Sequence, residues 1–186
     1  MSPDAATTAH GALRLRAVTP AHFPEYRAGL QALLRDSVAG GASVGFLNDP
    51  PEAQLDAYWS EVAAGLASGQ LRLWVALEDG VVLGSVQLAL ASKPNGLNRA
   101  EVQKLLVARV ARRRGLARQL MAALEQAALD LGRGLLFLDT LAGSEAEHLY
   151  QALGYQRAGE IPDYAAAPDG RYHPTALYYK RLRSPA

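Results

Sequence analysis

A mixed α/β domain built around one parallel strand–helix–strand unit is the fold implied by two patterns in this chain. The first runs from Glu101 to Asp139: an apolar strand ending Leu105-Leu106-Val107, a basic glycine turn, a helix and a second apolar strand. Leu116, Leu120, Leu124, Ala127 and Leu131 recur at spacings of four, four, three and four, one face of a helix with a period near 3.6. Strand, helix and strand at this length make a βαβ unit with parallel strands. The second pattern is Leu71–Leu77 and Val81–Leu90, two strands joined by Asp79-Gly80 as a tight hairpin. A hairpin is antiparallel, so the sheet is mixed.

The other elements follow in order. Residues 1–11 are small and polar and read as a flexible tail, leaving residues 12–186 as a single domain. Leu13–Val18 alternates like a strand, closed by Thr19-Pro20. A helix is expected from Phe23 to Val38, ended by Gly40-Gly41, and a second after Asp49-Pro50-Pro51, running to Ser68. Lys93-Pro94-Asn95-Gly96 is a turn before the strand that carries Glu101. After the βαβ unit, Ser144 can cap a short helix through Leu153, with Gly154 as its stop. Tyr155–Ala158 reads as a strand, Pro162–His173 as a long surface loop, and Pro174–Leu182 as the last strand.

Composition narrows the function classes. Hydrophobic residues make up 49% and charged residues 20%, ordinary values for a globular domain of 186 residues. A net charge of +1 gives no global case for nucleic acid or a membrane, so a basic site must be local. The absence of cysteine excludes a thiol nucleophile, a disulfide and cysteine-ligated zinc. His10, His22, His148 and His173 are scattered, with no metal-ligand spacing. No apolar run approaches a membrane span, so a soluble cytoplasmic protein is the expectation.

The turn Ala108–Gly115 carries local charge. A helix N-terminus offers unpaired N–H groups and the positive end of a dipole. Gly115 removes a side chain that would hold a ligand off, and Arg112, Arg113, Arg114 and Arg118 surround the same point. These features suit a phosphate or pyrophosphate. Alone, they suit a solvated basic turn equally well.

Arg112-Arg113-Arg114-Gly115-Leu116-Ala117 resembles the Arg/Gln-x-x-Gly-x-Gly/Ala acyl-CoA motif of the GCN5-related N-acetyltransferases (GNAT), and it has the strand before and helix after that the motif requires. Leu149-Tyr150-Gln151-Ala152-Leu153-Gly154-Tyr155 resembles that family's later Leu-Tyr-x-x-x-Gly-aromatic segment. Between Ala100 and Lys180 the likeness tightens towards tabtoxin-resistance-type acetyltransferases, through Glu101–Leu105, Leu138-Asp139-Thr140 and Pro168–Arg171. The resemblance implies a mostly antiparallel sheet with a central parallel βαβ acyl-CoA-binding unit and helices on both faces. It implies acetyl-CoA as cosubstrate, no metal, a small-molecule amine as acceptor, and a homodimer as a common assembly. Leu105, Leu106, Val107, Arg112, Arg113, Arg114, Gly115, Leu116, Ala117, Arg118, Ser144 and Tyr150 would then hold the cosubstrate. Gly143 departs from the family, which often has Asn there, and Ala117 is a permitted variant.

Three residues are the catalytic candidates. Asp139 is a carboxylate in a strand of Leu, Phe and Thr, which marks it as paired, functional or a structural strand-end group. Glu101 by itself is an ordinary strand Glu; the resemblance makes it and Asp139 the carboxylates that deprotonate the amine. Tyr150 is either a packed ring or, as the resemblance implies, the acid that protonates the leaving thiolate. A non-catalytic acyl-CoA-binding regulatory module is the rival reading. A nucleic-acid binder lacks aromatics interleaved with the arginines.

Overall fold

In the computed structural model, residues 12–182 are described. The expected 1–11 tail and the last four residues lie outside them. The elements are β1 (Arg14–Ala17), α1 (Phe23–Ala39), α2 (Glu52–Ala67), β2 (Leu71–Glu78), β3 (Val81–Leu90), β4 (Arg99–Val107), α3 (Leu116–Asp130), β5 (Leu135–Leu141), α4 (Glu145–Ala152), β6 (Gln156–Ala166) and β7 (Tyr172–Arg181). Seven strands form one sheet in the order β1-β2-β3-β4-β5-β7-β6. Among the described residues only β4 and β5 pair in parallel, as the βαβ pattern requires.

Each face of the sheet carries its own apolar layer. Ala100 and Val102 of β4, Leu136 and Leu138 of β5 and Tyr178 of β7 pack beneath Leu116, Leu120, Met121 and Leu124 of α3. On the other face Leu30, Leu33 and Leu34 of α1 and Leu55, Trp59 and Val62 of α2 meet Leu73, Val75 and Leu106. The helical periodicity of the sequence therefore reports two different burial surfaces. α3 lies close to the sheet at Gly84, where a Cβ would stand 3.0 Å from Leu120 Cδ1 and 3.2 Å from the Leu106 carbonyl oxygen.

The C-terminal strands depart from the sequence reading. Residues 162–173 form no long loop: β6 continues through Ala166, and only 167–171 turn, closed by Ala167 N–H donating to Arg171 O at 2.8 Å. Pro162 is tolerated because β6 is the outer strand, where a missing N–H breaks no ladder on the open side. The register shifts between Ile161 and Ala165, and Asp163 has a φ of 50°, so a bulge absorbs the Pro-Asp pair.

Gly84→Val should destabilise the domain by about 1–3 kcal/mol, because the added methyls meet α3 and a fixed backbone oxygen. Urea unfolding measures this; wild-type stability would mean that α3 lifts from the sheet at no cost.

Candidate active site

The site begins with an irregularity in β4. Ser85 pairs with Leu106 and Gln87 with Gln103, so between these pairs Lys104 and Leu105 of β4 oppose the single Val86 of β3, and β4 carries one extra residue. Lys104 takes a φ of 49°, a left-handed conformation that few non-glycine residues adopt. The bulge resets the alternation of the strand. Before it, Ala100 and Val102 face α3; after it, Leu106 packs with the α1–α2 layer while Leu105 and Val107 pack towards α3. Pairing with β5 is confined to Arg99, Ala100 and Glu101, so from Val102 onward the two parallel strands diverge. The edge of β4 that faces the gap includes the backbone of Leu105, Leu106 and Val107.

On the α3 side of that gap lies a pocket of about 350 Å³, lined by Val107, Ala111, Arg112, Arg113, Gly115, Leu116, Ala117, Arg118 and Leu149. Gly115 is the N-cap of α3, with a φ of 81°. A Cβ placed on it meets no atom within 4 Å, so the space over the helix amides is clear of protein. The first turn of α3 holds no acidic residue that would offset its dipole. A polyanionic ligand fits these features, with guanidinium groups at its rim and unpaired amides at its base. Arg114 is placed differently. Its guanidinium forms a two-point ion pair with Glu78 at the end of β2, one contact measuring 3.1 Å, and it does not line the pocket. Ser144 lies outside the lining too. It begins α4, but its hydroxyl is buried without a hydrogen-bond partner. Glu147 Oε1 supplies the local restraint instead, accepting from Gly143 N–H at 2.6 Å.

The opposite side of the gap is polar. Glu101 pairs with Phe137, and Asp139 lies two residues further along β5, so both carboxylates face the α1–α2 side. Gln103 Nε2 donates to Glu101 Oε2 at 2.9 Å. Thr175 Oγ1 lies 3.1 Å from Asp139 Oδ2 and 2.9 Å from Thr140 O, which share its single proton. Asp139 is exposed rather than sunk in apolar surroundings. Asp139 therefore carries no cost of charge burial, and its place beside the gap is what recommends it.

Tyr150 projects from α4 into the α3 layer. Its ring packs edge-on against Tyr155, with centroids 5.7 Å apart, and tilted against Tyr178 at 6.3 Å. Burial, helped by the negative charge of Asp139, pushes its phenol up to about 12. The same residue thus packs and stays protonated; the two sequence readings of Tyr150 are compatible.

Sequence reasoning passed over Lys104, Tyr58 and Gln87. Lys104 Nζ lies 5.6 Å from the centre of the Tyr58 ring, and Gln87 Nε2 donates to Tyr58 Oη at 3.0 Å. Burial lowers the Lys104 ammonium, against the attraction of Asp139 and Glu101. The only sequence signal was a lysine following Glu101-Val102-Gln103.

The profile of the acetyltransferase (GNAT) family matches residues 45–155, more than half of the chain and all of the βαβ unit. The chain belongs to the GNAT acetyltransferase family. Over 106 residues it is 34% identical to an uncharacterised N-acetyltransferase from the hisH–hisA intergenic region of Azospirillum brasilense, covering 56% of this chain and 61% of the relative. The chain thus aligns with less than two thirds of that relative. An N-acetyltransferase from Staphylococcus aureus Mu50 superposes with a TM-score of 0.75 at 20% identity, over 93% of this chain and 100% of its own. YncA of Salmonella typhimurium, solved with its cofactor acetyl-CoA, gives 0.74 at 20% identity, over 95% and 97%. These structures establish the shared GNAT fold. Among the described residues, no helix is long and apolar enough to cross a membrane.

α4 owes its seat to Glu147. Tyr178 Oη donates to its carboxylate, which also receives Gly143 N–H and lies 3.4 Å from Arg157 Nε. The Tyr178 bond, with the Gly143 amide and Arg157, holds this carboxyl below the usual range despite burial. A depressed folded-state pKa stabilises above the unfolded value, about 4.5, and that stability is lost as pH falls through the folded value. Glu147→Gln should therefore be less stable than wild type at pH 7, and the gap should close between about pH 4.5 and more acidic values. Thermal melts across that range check this; a pH-independent gap would remove the carboxylate's charge from the explanation.

Proposed function

We propose that this protein is an acetyl-CoA-dependent N-acetyltransferase that moves the acetyl group directly onto a primary amine of a small molecule. The observation that carries this reading is the gap between β4 and β5, which joins a basic pocket at a helix N-terminus to a crevice holding two carboxylates. Acetyl-CoA would supply an acyl group already activated as a thioester. Arg112, Arg113 and Arg118, with the amides at the start of α3, would bind its pyrophosphate. The β4 backbone from Leu105 to Val107 would align the pantetheine arm and polarise the acyl oxygen.

An amine attacks only as the free base, so Glu101 and Asp139 would take its proton, directly or through a water. The new N–C bond replaces the C–S bond, and Tyr150 would give its phenolic proton to the departing sulfur. The sulfur becomes basic enough to take that proton only as the C–S bond breaks, and the phenolate left behind, with its raised pKa, is then reprotonated from solvent. No cysteine is present to form an acyl-enzyme, which supports direct transfer. The likeness to tabtoxin-resistance-type enzymes supports an amine-bearing toxin or antibiotic as one acceptor class. A reaction in the cytoplasm, where acetyl-CoA is made and used, agrees with this reading.

Turnover of acetyl-CoA over an amine panel, with mass spectrometry of the products, tests the proposal. Tight CoA binding with no acetylated product from any amine would favour the regulatory-module reading. Arg112→Glu combined with Arg118→Glu should raise the KM for acetyl-CoA at least ~10-fold, since each reversal removes a charge-assisted bond and adds repulsion. Arg114→Gln should change it far less, because Glu78 already holds that guanidinium. Equal effects from both variants would contradict this division.

Glu101→Gln and Asp139→Asn should each lower kcat by something on the order of 10²–10⁴-fold. If they serve one proton path, the double variant will be little worse than the poorer single one. Multiplicative losses would separate their roles. Tyr150→Phe should lower kcat with CoA affinity kept, and wild-type turnover at a rate-limiting chemical step would leave Tyr150 with packing alone.

A further inference from the structure

The crevice that faces Glu101 and Asp139 also contains a cation without a direct ionic partner. Lys104 is half-buried, yet among the described residues no carboxylate comes within 4.0 Å of its Nζ. Its nearest charged neighbours, Asp139 and Glu101, act on it only at a distance. Desolvating an ammonium costs free energy, and so does the left-handed backbone that aims it. The α1–α2 loop passes over it: a Cβ on Gly45 would lie 3.6 Å from Nζ. That loop is tied to the β6–β7 turn by Asn48 N–H donating to Pro168 O at 2.9 Å.

A second donor stands beside the lysine. Gln87 is buried and gives its amide proton to Tyr58 Oη, so Tyr58 is free to turn its own hydroxyl proton to another acceptor. Burial pushes the Tyr58 phenol up to about 12, which keeps that proton in place. An ammonium and a phenol thus share this side of the gap with two carboxylates, so the site carries both signs of charge.

We infer that Lys104 and Tyr58 form a carboxylate subsite, and that the acceptor is an amine that also carries a carboxylate: an amino acid or a compound built like one. This rests on the acetyl-transfer reading for the position of the reacting amine, which must lie towards Glu101 and Asp139. The acceptor's carboxylate completes the pairing that the fold leaves open to Lys104.

Calorimetric titration of the CoA-loaded protein with matched pairs tests the inference, each pair an amino acid and the amine that lacks its carboxylate. At least one amino acid should bind on the order of 10–100-fold more tightly than its partner, the worth of a charged hydrogen-bonded contact. Lys104→Met should abolish that preference while CoA affinity and melting temperature are kept; Lys104→Arg should retain part of it, and Tyr58→Phe should weaken it. Equal binding of the two members of every pair, no binding by any amino acid, or a preference that survives Lys104→Met would overturn the subsite. Acetylation of amines without a carboxylate, at equal efficiency, would likewise overturn it while leaving the N-acetyltransferase reading intact. Lys104-dependent binding without acetyl transfer to any ligand would do the reverse.

Discussion

One residue too many in one strand governs the working part of this molecule. With Lys104 and Leu105 set against the single Val86 between the Gln103 and Leu106 pairs, β4 cannot stay in step with β3 on one side and β5 on the other. It keeps β3 and gives up β5. Three consequences follow from that choice. A gap opens between the parallel strands, the side chains after the bulge exchange faces, and a lysine in a strained conformation points into the crevice. Backbone strain of this kind costs on the order of 1–3 kcal/mol and persists only where the surroundings over-determine it. Here they do: Leu106 is locked into the α1–α2 layer and Val102 into the α3 layer, so neither flank of the bulge can slide.

The arginines show how the same sequence element is divided between architecture and binding. Arg109 is bound by Asp36 of α1 through both its backbone N–H, at 2.9 Å, and its Nε, at 2.8 Å. Arg114 is bound by Glu78 of β2. These two clamps fix the turn from either end, one to each side of the sheet. Arg112 and Arg118 are left at the pocket, where a rigid turn lets them meet a ligand with little ordering to be done. Among the described residues Arg113 is paired only with Glu145, at 3.7 Å and with both side chains almost fully exposed, a contact of little energetic weight.

What could be read from the chain follows from the range of the forces involved. The βαβ unit, both long helices and the β2–β3 hairpin are local patterns of period and turn chemistry, and they appear where the sequence places them. The Arg112–Ala117 turn was legible for the same reason. Lys104, Tyr58 and Gln87 were not, because they meet only after α2, β3 and β4 have packed; no spacing along the chain announces it. Asp139 was singled out by its apolar neighbours in sequence, but those neighbours point to alternate faces and the carboxylate itself lies exposed at the strand's open end. The extent of β6 was hidden by Pro162 and Asp163, which signal a loop unless the strand is known to be an outer one.

The distribution of charge across the sheet follows the same constraint. Guanidinium groups and helix amides gather on the α3 side, and the two carboxylates with their single lysine on the other, so one opening connects regions of opposite potential. A large polyanion is drawn to the first and repelled by the second, while a cationic amine meets the reverse. Entry from opposite faces would then be enforced by electrostatics as well as by shape. Lys104 modifies this rule at one point only. Its ammonium is attracted by both carboxylates without contacting either, so that this side of the gap carries both signs of charge. A surface that merely attracted cations would need no such lysine, and a strand that merely completed a sheet would need no such bulge.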